Sequence, residues 1–329
     1  MSTSENIPIP LVTVGGFLGA GKTTLVNHIL KHADDRRIVV FVNDFGAINI
    51  DYDLIEAADT DRISLKNGCV CCTLNDDLIG SIASFCREDR PDAFVVEASG
   101  VADPRSLDQS IIALQSAGHV HLDNRVYVMD ADQFGSLGYA DTEQLVDYAV
   151  ASDLVLINKA DLAAASDLQK LHVLLKRSCP RSALLETIQC AIPFDLLVGD
   201  TSLRQITGAA RNTAPLLSPH ALSDFVSWSR SDLAVVKKEA FVEFLPELVS
   251  IAIRSKGILY FDDDPQTPFL FDLVGTRYGF RPFLSANENP VSSFVAIGKK
   301  REFQTGVLER MFNRFSPTSN SNSSKLENL

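Results

Sequence analysis

The spacing of three glycines, a lysine and a threonine constrains this chain more than any other feature. Gly16-Phe-Leu-Gly-Ala-Gly21-Lys22-Thr23 fits the pattern G-x-x-x-x-G-K-S/T, a phosphate-binding P-loop. At ordinary glycine frequencies a chance match in a chain of this length has odds of roughly one in a hundred. The pattern makes sense only between a buried strand and a helix, and the flanks comply: Leu11–Val14 is apolar, and Lys22–His32 has helical periodicity. Glycines let the backbone turn so that successive N–H groups face phosphate, and the helix start already favours an anion. Gly16, Gly19, Ala20, Gly21, Lys22, Thr23 and Thr24 are therefore the candidate nucleotide-phosphate residues. Lys22 brings positive charge to the β- and γ-phosphates, and the Thr23 hydroxyl can ligate Mg²⁺.

A P-loop implies a parallel α/β sheet with helices on both faces, and the first two hundred residues alternate accordingly. Buried strands are expected at Leu11–Val14, Ile38–Val42, Phe94–Glu97, Val126–Asp130 and Leu154–Asn158, with helices at Lys22–His32, Asn75–Cys86 and Asp167–Arg177. Ligands of such sheets bind at the carboxyl ends of the strands, where the remaining motifs fall. Glu97 ends an apolar strand and can hold Mg²⁺, directly or through water. Gly100, three residues on, can offer its N–H to the γ-phosphate and so sense it. Asn158-Lys159-Ala160-Asp161 matches the guanine-reading pattern N-K-x-D. A carboxylate at Asp161 can accept from guanine N1–H and the 2-amino group, neither of which adenine has. Asn158 can meet N7, and the stem of Lys159 can lie over the ring.

Residues 1–199 thus read as a P-loop GTPase domain. Periodicity fades over 200–220, read as a linker. A smaller α+β domain is expected over 221–315, with strands at Asp224–Ser229, Gly257–Phe261, Phe269–Val274 and Val291–Ile297. Its helices are placed at Lys238–Arg254 and Phe303–Phe312. The Ser- and Asn-rich stretch 316–329 reads as a disordered tail.

The formal net charge of −12 argues against a nucleic-acid binder and against anionic membranes. The opening residues have no signal-peptide character and no run of about 18 apolar residues occurs, so the expectation is cytoplasmic. In a reducing compartment, Cys69, Cys71 and Cys72 in Asn67-Gly68-Cys69-Val70-Cys71-Cys72-Thr73 read as metal ligands or redox groups. A buried apolar trio is the plain alternative. Three thiolates leave a fourth position open on a tetrahedral ion, which suits a metal that is handed over. His119 and His121 alternate along a short segment and read as a solvated pair rather than ligands.

Together, Gly15-Gly-Phe-Leu-Gly-Ala-Gly-Lys-Thr-Thr, Asn43-Asp-Phe-Gly46, Gly68-Cys-Val-Cys-Cys-Thr, Glu97-Ala-Ser-Gly-Val-Ala-Asp-Pro104 and Asn158-Lys-Ala-Asp161 resemble the CobW-type metallochaperone GTPases. These are relatives of the hydrogenase- and urease-maturation GTPases. Arg254-Ser-Lys-Gly-Ile-Leu-Tyr260 resembles the family's second domain, so the likeness spans nearly the whole chain. The resemblance implies GTP-driven transfer of Zn²⁺, or in some branches Co²⁺ or Fe²⁺, to a client metalloenzyme. It also places the cysteines between a first switch, Asn43–Gly46, and a second, Glu97–Gly100. Departures bear on metal and client. Asp44 and Ala47 stand where the family often has Glu, Met129-Asp-Ala-Asp-Gln133 lacks a histidine many members carry, and no histidine-rich reservoir or amino-terminal Cys-Pro segment is present.

Three functions remain in play. The first is a slow GTPase whose GTP/GDP cycle drives metal transfer. The second is a binding module that GTP and metal regulate. The third, a small-molecule kinase, is disfavoured because it need not read guanine. A homodimer is left open.

Overall fold

The computed structural model describes residues 7–42, 70–71, 75–98, 103–199, 224–233, 235–282 and 291–315; for 70, 71, 75–77, 104, 232 and 233 it describes the backbone alone. The candidate linker and tail, the first switch, Cys69, Cys72 and Gly100 lie outside these residues. Two compact units emerge, 1–225 with 274–277, and 226–273 with 278–329.

The first unit is built on a seven-stranded parallel sheet. Its strands are β1 (Ile9–Gly16), β2 (Ile38–Val42), β3 (Val70–Cys71), β4 (Ala93–Glu97), β5 (Val120–Asp130), β6 (Leu154–Asn158) and β7 (Ala183–Thr187), in the order β3-β2-β4-β1-β5-β6-β7. The crossovers carry α1 (Lys22–Lys31), α2 (Asn75–Glu88), α3 (Asp108–Ser116), α4 (Ala131–Phe134), α5 (Tyr139–Ala149) and α6 (Ala165–Ser178), and α7 (Phe194–Leu197) follows β7. Both faces of the central strands are buried, which is why they read as continuous Val, Ile, Leu and Phe runs. On one face α2 and α3 cover Leu11, Phe41, Phe94 and Val96, while α5 and α6 cover Tyr127, Met129, Val155 and Ile157. The chain leaves β1 toward β2, then returns through β4 and crosses to β5 on the far side. That reversal puts the topological switch point, where ligands bind, at the carboxyl end of β1.

All five expected strands of this unit are present, and β5 begins six residues earlier than expected, at Val120. β3 and β7 were not expected. The pairing of β1 with β5 slips between Leu11 and Val12, and Asp123 is the residue left over. Its buried carboxylate accepts from the Gly199 N–H at 2.7 Å, and Asn124 Nδ2 donates to the Leu196 and Leu197 carbonyls. The bulge thus anchors the end of α7. His121 Nδ1 donates to the Pro8 carbonyl at 3.0 Å, and the ring lies 3.7 Å from Asp123, so it is half-buried structure rather than a solvated partner of His119.

The second unit is a five-stranded sheet, order β11-β10-β9-β12-β8, from β8 (Phe225–Leu233), β9 (Arg254–Phe261), β10 (Asp264–Val274), β11 (Arg277–Pro282) and β12 (Ser292–Lys299). β12 runs antiparallel to β9. Helices α8 (Lys238–Ile251) and α9 (Thr305–Phe315) complete an aromatic core around Phe241. Its ring meets those of Phe261, Phe271, Phe294, Phe312 and Phe315 with centroids between 5.2 and 6.4 Å apart. α8 stops at Ile251 rather than Arg254. Arg254 instead opens β9, where Arg254 and Lys256 are buried on one face, each 3.8 Å from Asp272.

Candidate functional site

The loop between β1 and α1 has the shape its glycines predict. Gly16, Gly19 and Gly21 have φ of +149°, +77° and +112°, a region that side-chain-bearing residues rarely adopt. Space makes the same demand. A Cβ at Gly16 would stand 2.5 Å from the Val128 carbonyl, and one at Gly21 would stand 2.5 Å from Asn158 Nδ2. Gly21 brings no capping side chain to α1, and no acidic residue stands in the first turn, so the amides there suit an anion. Lys22 is only 7% exposed and donates from Nζ to the Phe17 carbonyl at 3.3 Å. Thr23 follows, half-buried, and Thr24 is exposed.

Glu97 is 2% exposed at the tip of β4. It is in register with Val14 of β1 on one side and Val42 of β2 on the other, and Val42 is in register with Cys71 of β3. One row across the sheet's carboxyl edge therefore runs Val14, Glu97, Val42, Cys71. With strands about 4.8 Å apart, the Cys71 backbone lies about 10 Å from that of Glu97 and about 14 Å from β1.

The N-K-x-D segment leaves β6 at the same edge. Asn158 is buried and engaged at both polar side-chain atoms: Nδ2 donates to the Ala20 carbonyl at 2.9 Å, while Oδ1 accepts from Thr187 Oγ1 at 3.2 Å and from the Cys190 N–H at 2.9 Å. It ties the P-loop to the loop after β7. Lys159 has φ +59°, and its Nζ is 2.6 Å from Asp130 Oδ2 at the end of β5. Asp161 is exposed in a turn held by the Leu162 N–H on Lys159 O and the Ala160 N–H on Thr187 O. Thr187, Cys190 and Asp130 are thus parts of the site that the motifs did not name. An aspartate closing a strand just before Ala-Asp-Gln was a legible helix cap in the case of Asp130. Thr187 and Cys190 carried no local signal.

The amino-terminal unit decides the family. Residues 10–186 match the model of the CobW/HypB/UreG nucleotide-binding domain, and 225–316 match the cobalamin synthesis protein cobW C-terminal domain. The chain belongs to the CobW/HypB/UreG family. As a member it is a P-loop GTPase. Among its relatives, the zinc chaperone CobW of a Sinorhizobium species is 30% identical over 82% of this chain and 86% of its own. A zinc-regulated GTPase metalloprotein activator 1 of Schizosaccharomyces pombe is 31% identical over 89% and 82%. The crystal structure of the Zn(II)-bound YjiA GTPase from E. coli aligns over 94% of this chain and 99% of its own, at 24% identity and a TM-score of 0.42.

Three cysteines outside the Cys-x-Cys-Cys motif lie in the interior. Cys86, Cys179 and Cys190 are buried free thiols. Burial pushes Cys179 up to about 11 and Cys190 up to about 12, and it raises Cys86 as well. Raised pKa values leave almost no thiolate at neutral pH, and the thiolate is the reacting form. At pH 7.5 an aromatic disulfide reagent should therefore count all six thiols in denaturant but at least three fewer in the native protein. Cys190→Ser should leave the native count unchanged. A native count of six would contradict the burial of these three.

Proposed function

We propose that this chain is a GTP-hydrolysing metallochaperone that holds Zn²⁺ on Cys69, Cys71 and Cys72 and passes it to a client metalloprotein in the cytoplasm. The observation that carries the reading is the single row of the sheet edge that contains both Glu97 and Cys71, three strands from β1. A segment placed there can respond to what the phosphate site holds. Two relatives are named for zinc, and three thiolates with an open fourth position suit that ion as transferable cargo.

In this reading the P-loop amides and Lys22 grip the β- and γ-phosphates. The Thr23 hydroxyl and the buried Glu97 carboxylate are hard oxygen donors on adjacent elements, a set that fits Mg²⁺. When bound, that ion neutralises charge on the phosphates. Gly100 senses the γ-phosphate through its N–H, and Asp161 and Lys159 read and cover the guanine.

Cys71→Ser is expected to lower Zn²⁺ affinity by about 10²-fold, since one of three soft ligands becomes a weak neutral one. GDP binding without metal should be nearly unchanged. Competition against a chromophoric zinc chelator measures the first and a fluorescent GDP analogue the second. Wild-type zinc affinity in the variant would remove the cysteines from the metal site.

A further inference from the structure

The short helix α4 and Lys159 hang on the same carboxylate. Asp130 Oδ1 accepts from the N–H groups of Asp132 and Gln133, at 3.0 and 3.1 Å, and so caps α4. Its other oxygen, Oδ2, takes the Lys159 ammonium at 2.6 Å, with the Asp130 side chain 10% exposed and that of Lys159 35% exposed. Lys159 also holds a left-handed backbone conformation, at φ +59°, that costs a lysine free energy and persists only where its surroundings enforce it. Its neighbours do so: Asn158 is fixed to Ala20, Thr187 and Cys190, and the Ala160 N–H is fixed to Thr187 O. Backbone and ammonium are thus both pinned, which determines where the four-carbon stem between them can lie.

The same carboxylate reaches the phosphate loop by packing. Phe134 of α4, Phe17 of the P-loop and Ala163, two residues past Asp161, all pack on the cluster that holds Met129 and Ala131. Lys22 in turn donates to the carbonyl of that same Phe17.

We propose that Asp130 is a positioning residue for the nucleotide, holding the stem of Lys159 as a preset wall for the purine ring while it fixes α4 against the P-loop. The inference rests on the guanine reading of Asn158–Asp161 and extends it to a residue outside that motif. A preset wall improves binding because the paired lysine has less rotamer freedom to lose when the base arrives. It acts on ground state and transition state alike, so its loss raises KM and leaves kcat.

Asp130→Asn separates the two duties. Asparagine caps a helix about as well as aspartate, but it cannot hold the ammonium as an ion pair. Full-length protein stripped of nucleotide would be titrated with GDP and with ADP, and GTP turnover would be followed at saturation. Asp130→Asn is expected to weaken GDP binding about tenfold, with a matching rise in KM for GTP and an unchanged kcat. Lys159→Met should show a similar loss without touching the cap, and it serves as the test if Asp130→Asn does not fold. Adding Asp130→Asn to Lys159→Met should then change GDP affinity less than twofold. A full tenfold loss in that background, or wild-type GDP affinity in either single variant, overturns the positioning role. Equal affinity of the wild type for GDP and ADP would instead remove the guanine reading, and this inference with it.

Discussion

Replacing Lys22 by alanine lowers GTP turnover by roughly 10²- to 10³-fold, the usual loss when a preorganised charge at the reacting phosphates is removed. The side chain is 7% exposed, with Nζ turned into the loop toward the Phe17 carbonyl. A desolvated cation held there interacts with phosphate charge far more strongly than one in water. Nucleotide affinity falls too, because the ammonium meets phosphate in the bound ground state as well as in the transition state. The fold should survive, since β1 and α1 are held by Leu11, Val12, Val14, Leu25, Val26 and Ile29, all fully buried, rather than by Lys22. Steady-state GTP hydrolysis, with thermal unfolding as the control, is the measurement. Turnover at the wild-type rate in a folded variant would remove the P-loop assignment.

Asp161→Asn is expected to cut the preference for GTP over ATP by about 10²-fold, because the amide keeps one acceptor but sets its NH2 donor against the second guanine donor. The backbone that carries Asp161 is fixed by the turn bonds to Lys159 and Thr187, so the substitution alters chemistry rather than shape. The chemistry also predicts a gain. An amide at position 161 can donate to a 2-oxo purine, so XTP binding should improve while GTP binding declines. Competition titrations with GTP, ATP and XTP test all three directions. Unchanged preference would mean that guanine is read elsewhere.

The buried strands of the first unit were legible because burial on both faces selects unbroken β-branched runs, as in Ile38–Val42 and Leu154–Asn158. β7 was not, because only Leu185 and Thr187 are buried along Ala183–Thr187, and an edge strand with that pattern resembles loop. β3 is two residues long and has no periodicity at all. In the second unit, the expected helix ran three residues too far, to Arg254, because Asp272 beside Arg254 and Lys256 lets cations sit inside β9. The phosphate motif was readable as chemistry, since each residue type follows from what phosphate requires. The second duty of Asn158 was not, because Thr187 and Cys190 lie 29 and 32 residues along the chain. Asp130 was visible as a helix cap, but its hold on Lys159, 29 residues away, depends on β5 and β6 lying side by side with Asp130 opposite Asn158.

The central claim is that nucleotide and metal share one equilibrium. A ligand shifts a protein only by its differential affinity for two states, and the coupling must be reciprocal. In the proposed reading the coupling would run along the row in which Glu97 and Cys71 are in register through Val42. The decisive measurement is a calorimetric cycle: Zn²⁺ titrated into the GDP-bound and GTP-analogue-bound protein, and each nucleotide titrated with and without Zn²⁺. A nucleotide-gated carrier predicts Zn²⁺ affinities that differ by roughly five- to 150-fold between the two forms, the same factor in the nucleotide titrations, and no coupling in Cys71→Ser. Equal Zn²⁺ affinity in both forms would contradict the account and leave a GTPase that binds metal without gating it.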